Sequence, residues 1–479
     1  MSSTVPGLAK LETSRIDRFL ARPRRAVWTM ALPMMAGTAV HTIYIVTDTA
    51  FVGTLSTEAL AAVTFVVPLF MVMVTLTFGL GTAVTALVAQ AVGRREPGGA
   101  DAVAGTALSV GALLGIGLGA GGLVFGRPVL TLLGAAGHTH ALALEYFQVL
   151  SLAVPMIFVS TTLRSVLVGE GDAGTPTVVM TATTALNLGL DAVFIFVVGL
   201  GVRGASLATA VASLCSLVAY WVLVFRRRDA FVRFRPAALV PSWPVAWRIA
   251  ALGVPTAGAM LVMSLGTMAY NRVISEFGEV SVAAYGAASK VDTIVIMPIF
   301  GLASAAVSVV GMFAGAGRGD LVRSTVLYTY RWALVLATGI GVVSYLCSSW
   351  ILVIFTRDPV ALATGRTYLG FMVFAYPMIA FGMTTGRMLQ GLGHGVPSMV
   401  ITTARVFLVA VPAAYGAVYL LGAPVEAVWA SILAGGLIST VVSVLWVRRL
   451  VWGRDPTTLA RSVEPLRAVD ATPAAVARE

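Results

Sequence analysis

Near the start of the chain, His41, Tyr44 and Asp48 stand at spacings of three and four in an otherwise apolar run from Pro33 to Gly53. In a helix those offsets place an imidazole, a phenol and a carboxylate on one face. A carboxylate inside hydrocarbon costs roughly 2.5–3.5 kcal/mol on insertion scales, so by default it marks an ion or proton path. The competing reading is that Asp48 lies close enough to the helix end to reach water. A second constellation, Asn187–Leu–Gly–Leu–Asp191, puts an amide one turn from an acid, where the amide can hydrogen-bond it. Thr209, in the next apolar segment, adds a hydroxyl at a depth where it can face them. Asn187 and Asp191 could instead bridge helices as packing glue. Two acids in the same half favour ion chemistry, because like charges repel strongly at low dielectric.

The remaining polar residues offer less. Lys290 and Asp292 are two apart, so they do not share a helical face, and each is expected to pair with a neighbouring helix or with a cavity. Arg164 and Arg387 precede glycine-rich helix ends and are expected to snorkel to the surface. Glu170 and Asp172 read as solvated loop residues. Four histidines and two cysteines, Cys215 and Cys347, are scattered without metal-site spacing, and both cysteines read as small packed side chains. No GxxxxGK[ST] phosphate loop, GxSxG elbow or HExxH helix occurs. Direct ATP coupling and these hydrolytic chemistries therefore have no residues to run on, and an ion gradient is the expected energy source.

The elements that must position these groups are membrane helices. Of 479 residues, 58% are hydrophobic and only 11% charged, against about a quarter charged in soluble domains, and mean hydropathy is +0.92. About twelve apolar segments are long enough to span: 26–52, 59–92, 103–125, 142–168, 175–199, 204–225, 247–275, 281–313, 326–355, 364–390, 397–421 and 425–450. The net charge of +11 follows topology. Arginines gather in the N-terminal tail, at Arg94–Arg95, Arg226–Arg228 and Arg448–Arg449, and are sparse in the alternate loops. That is the positive-inside pattern, which puts both termini in the cytoplasm and argues against nucleic acid as a partner. The basic, polar opening stretch does not read as a cleavable signal peptide.

The two halves repeat. One constant shift carries Pro33 onto Pro255, Gly79 onto Gly301, Gly93 onto Gly315 and Pro155 onto Pro377. Six helices per half give both halves the same orientation, so the predicted fold is all-α integral membrane: twelve transmembrane helices in two six-helix bundles related by a pseudo-twofold along the membrane normal. The expected divisions are a cytoplasmic tail over 1–25, an N-lobe over 26–225, a linker over 226–246, a C-lobe over 247–450 and a second tail over 451–479. The repeat is asymmetric where it matters: the counterpart of Asp48 is Tyr270.

On these residues the chain resembles the multidrug and toxic compound extrusion (MATE) family across roughly 20–450. The resemblance is carried by the Pro33…Asp48–Thr–Ala–Phe–Val–Gly53 helix, the duplication, and Ala283–Ala–Tyr–Gly–Ala–Ala–Ser–Lys290–Val–Asp292. The pattern of acids, with Asp48 and Asp191 in the N-lobe, resembles the DinF-like branch, which keeps its coupling carboxylates there. The resemblance implies an antiporter, not an enzyme, that exports amphipathic, cationic organic compounds and is coupled to protons, with sodium as the alternative at Asp48 and Asp191. It also implies that Tyr44, Asp48, Asn187, Asp191 and Thr209 form a hydrogen-bond network and that helix 1 bends at Pro33. Two positions depart from the family pattern: His41 stands for a glutamine, and Thr161 lies near the place of an asparagine. Lys290, Asp292 and Tyr270 are the C-lobe candidates. No cofactor is expected. The partners are small organic molecules and the bilayer, the expected state is a monomer, and the expected location is the inner membrane. A lipid-linked precursor flippase of the same superfamily is the alternative function, and it calls for a strongly cationic central cavity.

Overall fold

The structure, a computed structural model, describes residues 15–53, 57–227, 230–234, 239–354, 356–453 and 455. Among the described residues, twelve long helices run in chain order. The first six are α1 Pro23–Gly53, α2 Thr57–Arg94, α3 Pro97–Leu132, α4 Gly137–Gly169, α5 Gly174–Val197 and α6 Gly201–Arg226. The second six are α7 Trp243–Phe277, α8 Glu279–Gly315, α9 Gly319–Leu346, α10 Pro359–Gly391, α11 Val396–Leu420 and α12 Glu426–Trp452. All of them beyond α1 are apolar enough over their described residues to cross a membrane. The expected span 326–355 ends early, because the chain breaks at Cys347 before a short helical turn, Ser348–Leu352. Cys347 is accordingly exposed rather than packed. At 38 and 37 residues, α2 and α8 are about 55 Å long at 1.5 Å per residue. They therefore extend beyond a hydrocarbon core of about 30 Å.

Lipid tails are as apolar as leucine, so burial from water does not hold such helices together. Close approach at small residues does. A Cβ at Gly93 would stand 2.9 Å from Gly315 Cα, and one at Gly315 would meet the backbone of Gln90. These two glycines are repeat partners, so the ends of α2 and α8 cross backbone to backbone. The same exchange recurs one step away. Gly79 of α2 packs on Ala257 of α7, while Gly301 of α8 packs on Met35 of α1. The repeat shift carries Gly79 onto Gly301 and Met35 onto Ala257, so one contact is the image of the other. The pseudo-twofold can thus be read residue by residue.

The Gly79 and Gly301 contacts lie about 20 Å, at 1.5 Å per residue, further in than the Gly93–Gly315 crossing, which lies at the end of the molecule that also carries Arg15, Arg94, Arg226, Arg318 and Arg448, the basic end. Hydrogen bonds between lobes gather there too: Gln90 Nε2 to Gly391 carbonyl at 2.8 Å, Ser308 hydroxyl to Val168 carbonyl at 2.8 Å, and Trp28 Nε1 to Tyr328 hydroxyl at 2.8 Å. Burial follows the same gradient. Residues 79–92 of α2 are mostly buried, whereas Leu60, Val67, Met71 and Val72 toward its other end are exposed.

The described parts of the linker lie against the N-lobe. Val232 N–H donates to Glu170 at 2.7 Å, Arg233 N–H to Asp101 at 2.6 Å, and Ser109 hydroxyl to Leu239 carbonyl at 2.5 Å.

Candidate functional site

In the N-lobe, Asn187 and Asp191 are one turn apart on α5 and buried, at 4% and 0% exposure. Among the described residues the Asn187 amide has no hydrogen-bond partner, and a buried amide calls for a polar one. Two residues on, α5 widens into a π-helical turn over Val193–Val197, as α11 does over Ala404–Ala410 and Gly416–Leu420 and α12 over Arg448–Trp452. Such turns frequently mark functional sites. Thr209 is half-buried on α6, which packs against α5, but its hydroxyl proton goes to the Ala205 carbonyl at 3.1 Å. Only its lone pairs remain for a neighbour. Thr161 on α4 packs its methyl against α2 at Gly81. The positions of His41, Tyr44 and Asp48 fall within α1, and their side chains lie outside the described residues.

Pro33 lies inside an α1 that is helical from Pro23 to Gly53. Proline has no N–H to continue the helix ladder, which leaves a weak point. The Pro33 carbonyl accepts from Thr177 of α5 at 3.0 Å, so this point is tied to the same helix that carries Asn187 and Asp191.

The C-lobe holds a different constellation. Asp292 accepts 2.6 Å hydrogen bonds from the Tyr368 and Tyr376 hydroxyls, one on each carboxylate oxygen. Both tyrosines are buried, and they lie two turns apart along one face of α10. Tyr285 and Trp429 stack edge-on against Tyr368 at 5.6 and 4.8 Å. Lys290 is exposed and points elsewhere, in keeping with its separation from Asp292. Tyr270, the counterpart of Asp48, is buried, with its hydroxyl 3.3 Å from Ser431. Sequence spacing alone does not pair Asp292 with α10. Two tyrosines two turns apart on an apolar helix were the available signal.

Three expectations are overturned. Arg387 does not reach the surface: it is 6% exposed and lies between Phe78 and Phe300, 4.3 and 4.6 Å from their ring centres. It donates to Thr82 at 3.1 Å. Phe78 and Phe300 are repeat partners, so this guanidinium stands on the pseudo-twofold between the lobes, where cation–π contact in a dry setting offsets its desolvation. Arg164, half-buried, likewise turns inward, to the Met180 sulfur at 3.4 Å. Glu170 and Asp172 are not solvated but 8% exposed, because the linker and a short N-terminal helix over residues 15–21 cover them. Burial raises the Glu170 carboxyl to about 7 despite the Val232 N–H and the nearby Arg227 and Arg15. Burial also pushes Asp172 upward, but hydrogen bonds from Thr175 and Arg227 outweigh it and hold this carboxyl below its ordinary value.

The family model of MatE matches residues 33–193 and again 255–416, so the second match begins where the repeat shift carries the first, and together they cover well over half the chain. The chain belongs to the MatE family. It is a multi-pass membrane transporter and not an enzyme. Similar proteins include a probable multidrug resistance protein NorM of Thermotoga maritima, 23% identical over 90% of this chain and 95% of the relative. The FAD transporter of Shewanella oneidensis is 24% identical, over 81% and 87% of the two chains. Among solved structures, a MATE in complex with MaL6 superposes with a TM-score of 0.86 at 29% identity, covering 90% and 97% of the two chains. The outward-facing conformation of a multidrug resistance MATE transporter gives the same TM-score and identity, with 90% and 96% covered. The sequence-based fold of twelve helices in two bundles therefore stands.

Proposed function

We propose that this MATE transporter is an antiporter that exports amphipathic, cationic organic compounds in exchange for protons, with its coupling site in the N-lobe and its basic end in the cytoplasm. The observation that carries the reading is the buried Asn187–Asp191 pair on α5, beside the widened turn and tied through Thr177 to the proline of α1. Proton binding at Asp48 and Asp191 would favour bending of α1 at Pro33 and shrink the N-lobe cavity. The multidrug names of several relatives support the cargo class, and closure at the basic end supports an outward-facing state. Energetically the exchange is feasible: each inward charge gains about 2.3 kcal/mol per 100 mV, and each pH unit about 1.4 kcal/mol. Among the described residues a single buried guanidinium lies between the lobes, that of Arg387, which falls short of the strongly cationic cavity that a flippase of lipid-linked precursors needs. The placement within the DinF-like branch rests on the same N-lobe acids.

Imposing pH and sodium gradients separately on liposomes holding the purified protein tests the coupling ion. Cargo movement driven by the pH gradient alone is the expected result. Movement driven only by sodium would reassign the ion, and movement driven by neither would overturn the antiport reading.

A further inference from the structure

Arg15, Arg18, Arg22 and Arg25 recur at intervals of three, four and three residues, a single stripe running from the N-terminal helical segment over residues 15–21 into α1. All four line one cavity of about 840 Å³ at the basic end, with Phe19 and Pro33 among its apolar walls. Among the described residues, the only carboxylate lining it is that of Asp172. That group is already engaged by Arg227 and by the Thr175 N–H at 3.0 Å, and Arg15 stands 3.9 Å away. Among the described residues no carboxylate pairs with Arg22 or Arg25. Among the described residues, Arg22 and Arg25 therefore bring the cavity more positive charge than its wall neutralises. Guanidinium forks match the oxygens of a phosphate, two N–H groups to two oxygens.

We infer that this cavity binds the phosphate of an anionic phospholipid headgroup. The lipid source is favoured over free phosphate by position and by shape. The cavity lies where the chain enters its first membrane helix, and its floor is Phe19, 7% exposed and packed on Gly171. Ile16 and Phe19 pack into the protein core while the arginines Arg18, Arg22 and Arg25 stay exposed, so the segment is held on the protein by its apolar side and presents its basic side outward. Basic residues just outside a membrane helix are drawn to the anionic cytoplasmic leaflet. Thr29 and Pro33 also border the cavity, so a bound headgroup would tie the N-terminal segment to the stretch of α1 that contains its proline. The lipid's leaflet rests on the cytoplasmic assignment of the basic end, but binding in detergent does not depend on it.

The test uses the delipidated full-length protein in detergent, titrated with short-chain phosphatidylglycerol, short-chain phosphatidylcholine and inorganic phosphate, and read by native mass spectrometry and thermal shift. Phosphatidylglycerol is expected to bind, and the double variant Arg22→Gln, Arg25→Gln to weaken it by at least about tenfold. Removing the same charge elsewhere on that end, by Arg448→Gln with Arg449→Gln, is expected to leave binding unchanged. Equal binding of phosphatidylcholine, equal loss in both double variants, or displacement by millimolar phosphate would each overturn the lipid assignment. Should the first variant fail to fold, the wild type decides: phosphatidylglycerol affinity must fall as salt is raised, and indifference to salt contradicts the site.

Discussion

Asp292 shows what a carboxylate in an apolar bundle requires. Both of its oxygens are met by tyrosine hydroxyls at 2.6 Å, and hydrogen bonds to charged groups contribute about 1.5–3 kcal/mol each. Tyr376→Phe is expected to lower the unfolding midpoint of the purified protein while leaving ion-driven export measurable; an unchanged midpoint would remove the clamp role. Glu170 makes a prediction outside the membrane. Folded, it keeps its proton up to about pH 7, whereas the unfolded chain releases it near 4.5. The folded state thus holds more protons between those values, and stability falls as pH rises through that window, by at most about 1.4 kcal/mol per pH unit. The groups facing it are Arg15, Arg227 and Asp172, and Asp172, being depressed, titrates below the window. Glu170→Gln is expected to flatten the wild-type fall in thermal midpoint from mildly acidic to neutral pH, and a parallel fall in both proteins would contradict this. At this scale the sequence was legible for Asn187 and Asp191, whose spacing alone puts them on one face. It misled at Glu170, Asp172 and Arg387, because burial there comes from distant segments: the linker, the N-terminal helix and two phenylalanines from opposite halves of the repeat.

At the scale of elements, the α2–α8 crossing is the feature most exposed to test. Gly93 and Gly315 allow backbone contact that any side chain would prevent. Gly93→Leu is expected to hold the basic end apart and to cut export by more than tenfold at normal expression, with a cysteine substituted at Ser308 becoming reactive from that side. Normal export would show that the closed crossing is not part of the cycle. The glycines were visible in sequence as repeat landmarks, and their shared register was enough to pair α2 with α8. What sequence could not supply was the contact itself, which depends on how the lobes tilt. The break at Cys347 was missed for a related reason, since hydropathy continues across it while the helix does not.

For the whole molecule, the duplication gives both lobes one architecture and leaves their chemistry different. The C-lobe acid is clamped by tyrosines within its own bundle, and the counterpart of Asp48 is a buried tyrosine, Tyr270. The N-lobe carries Asn187 and Asp191 on a helix tied to the α1 proline. Twelve helices and a twofold were legible because hydropathy and repeat spacing are properties of the chain alone. The closure between the lobes was not, because it is set by which ends pack. Residence of ion coupling in the N-lobe is tested most directly by cargo transport driven by a pH gradient in liposomes holding the wild type, Asp48→Asn or Asp292→Asn. Asp48→Asn is predicted to fall to the level of protein-free liposomes while Asp292→Asn, matched for the amount of folded protein, still transports. Transport by Asp48→Asn at the wild-type rate would contradict an N-lobe coupling site.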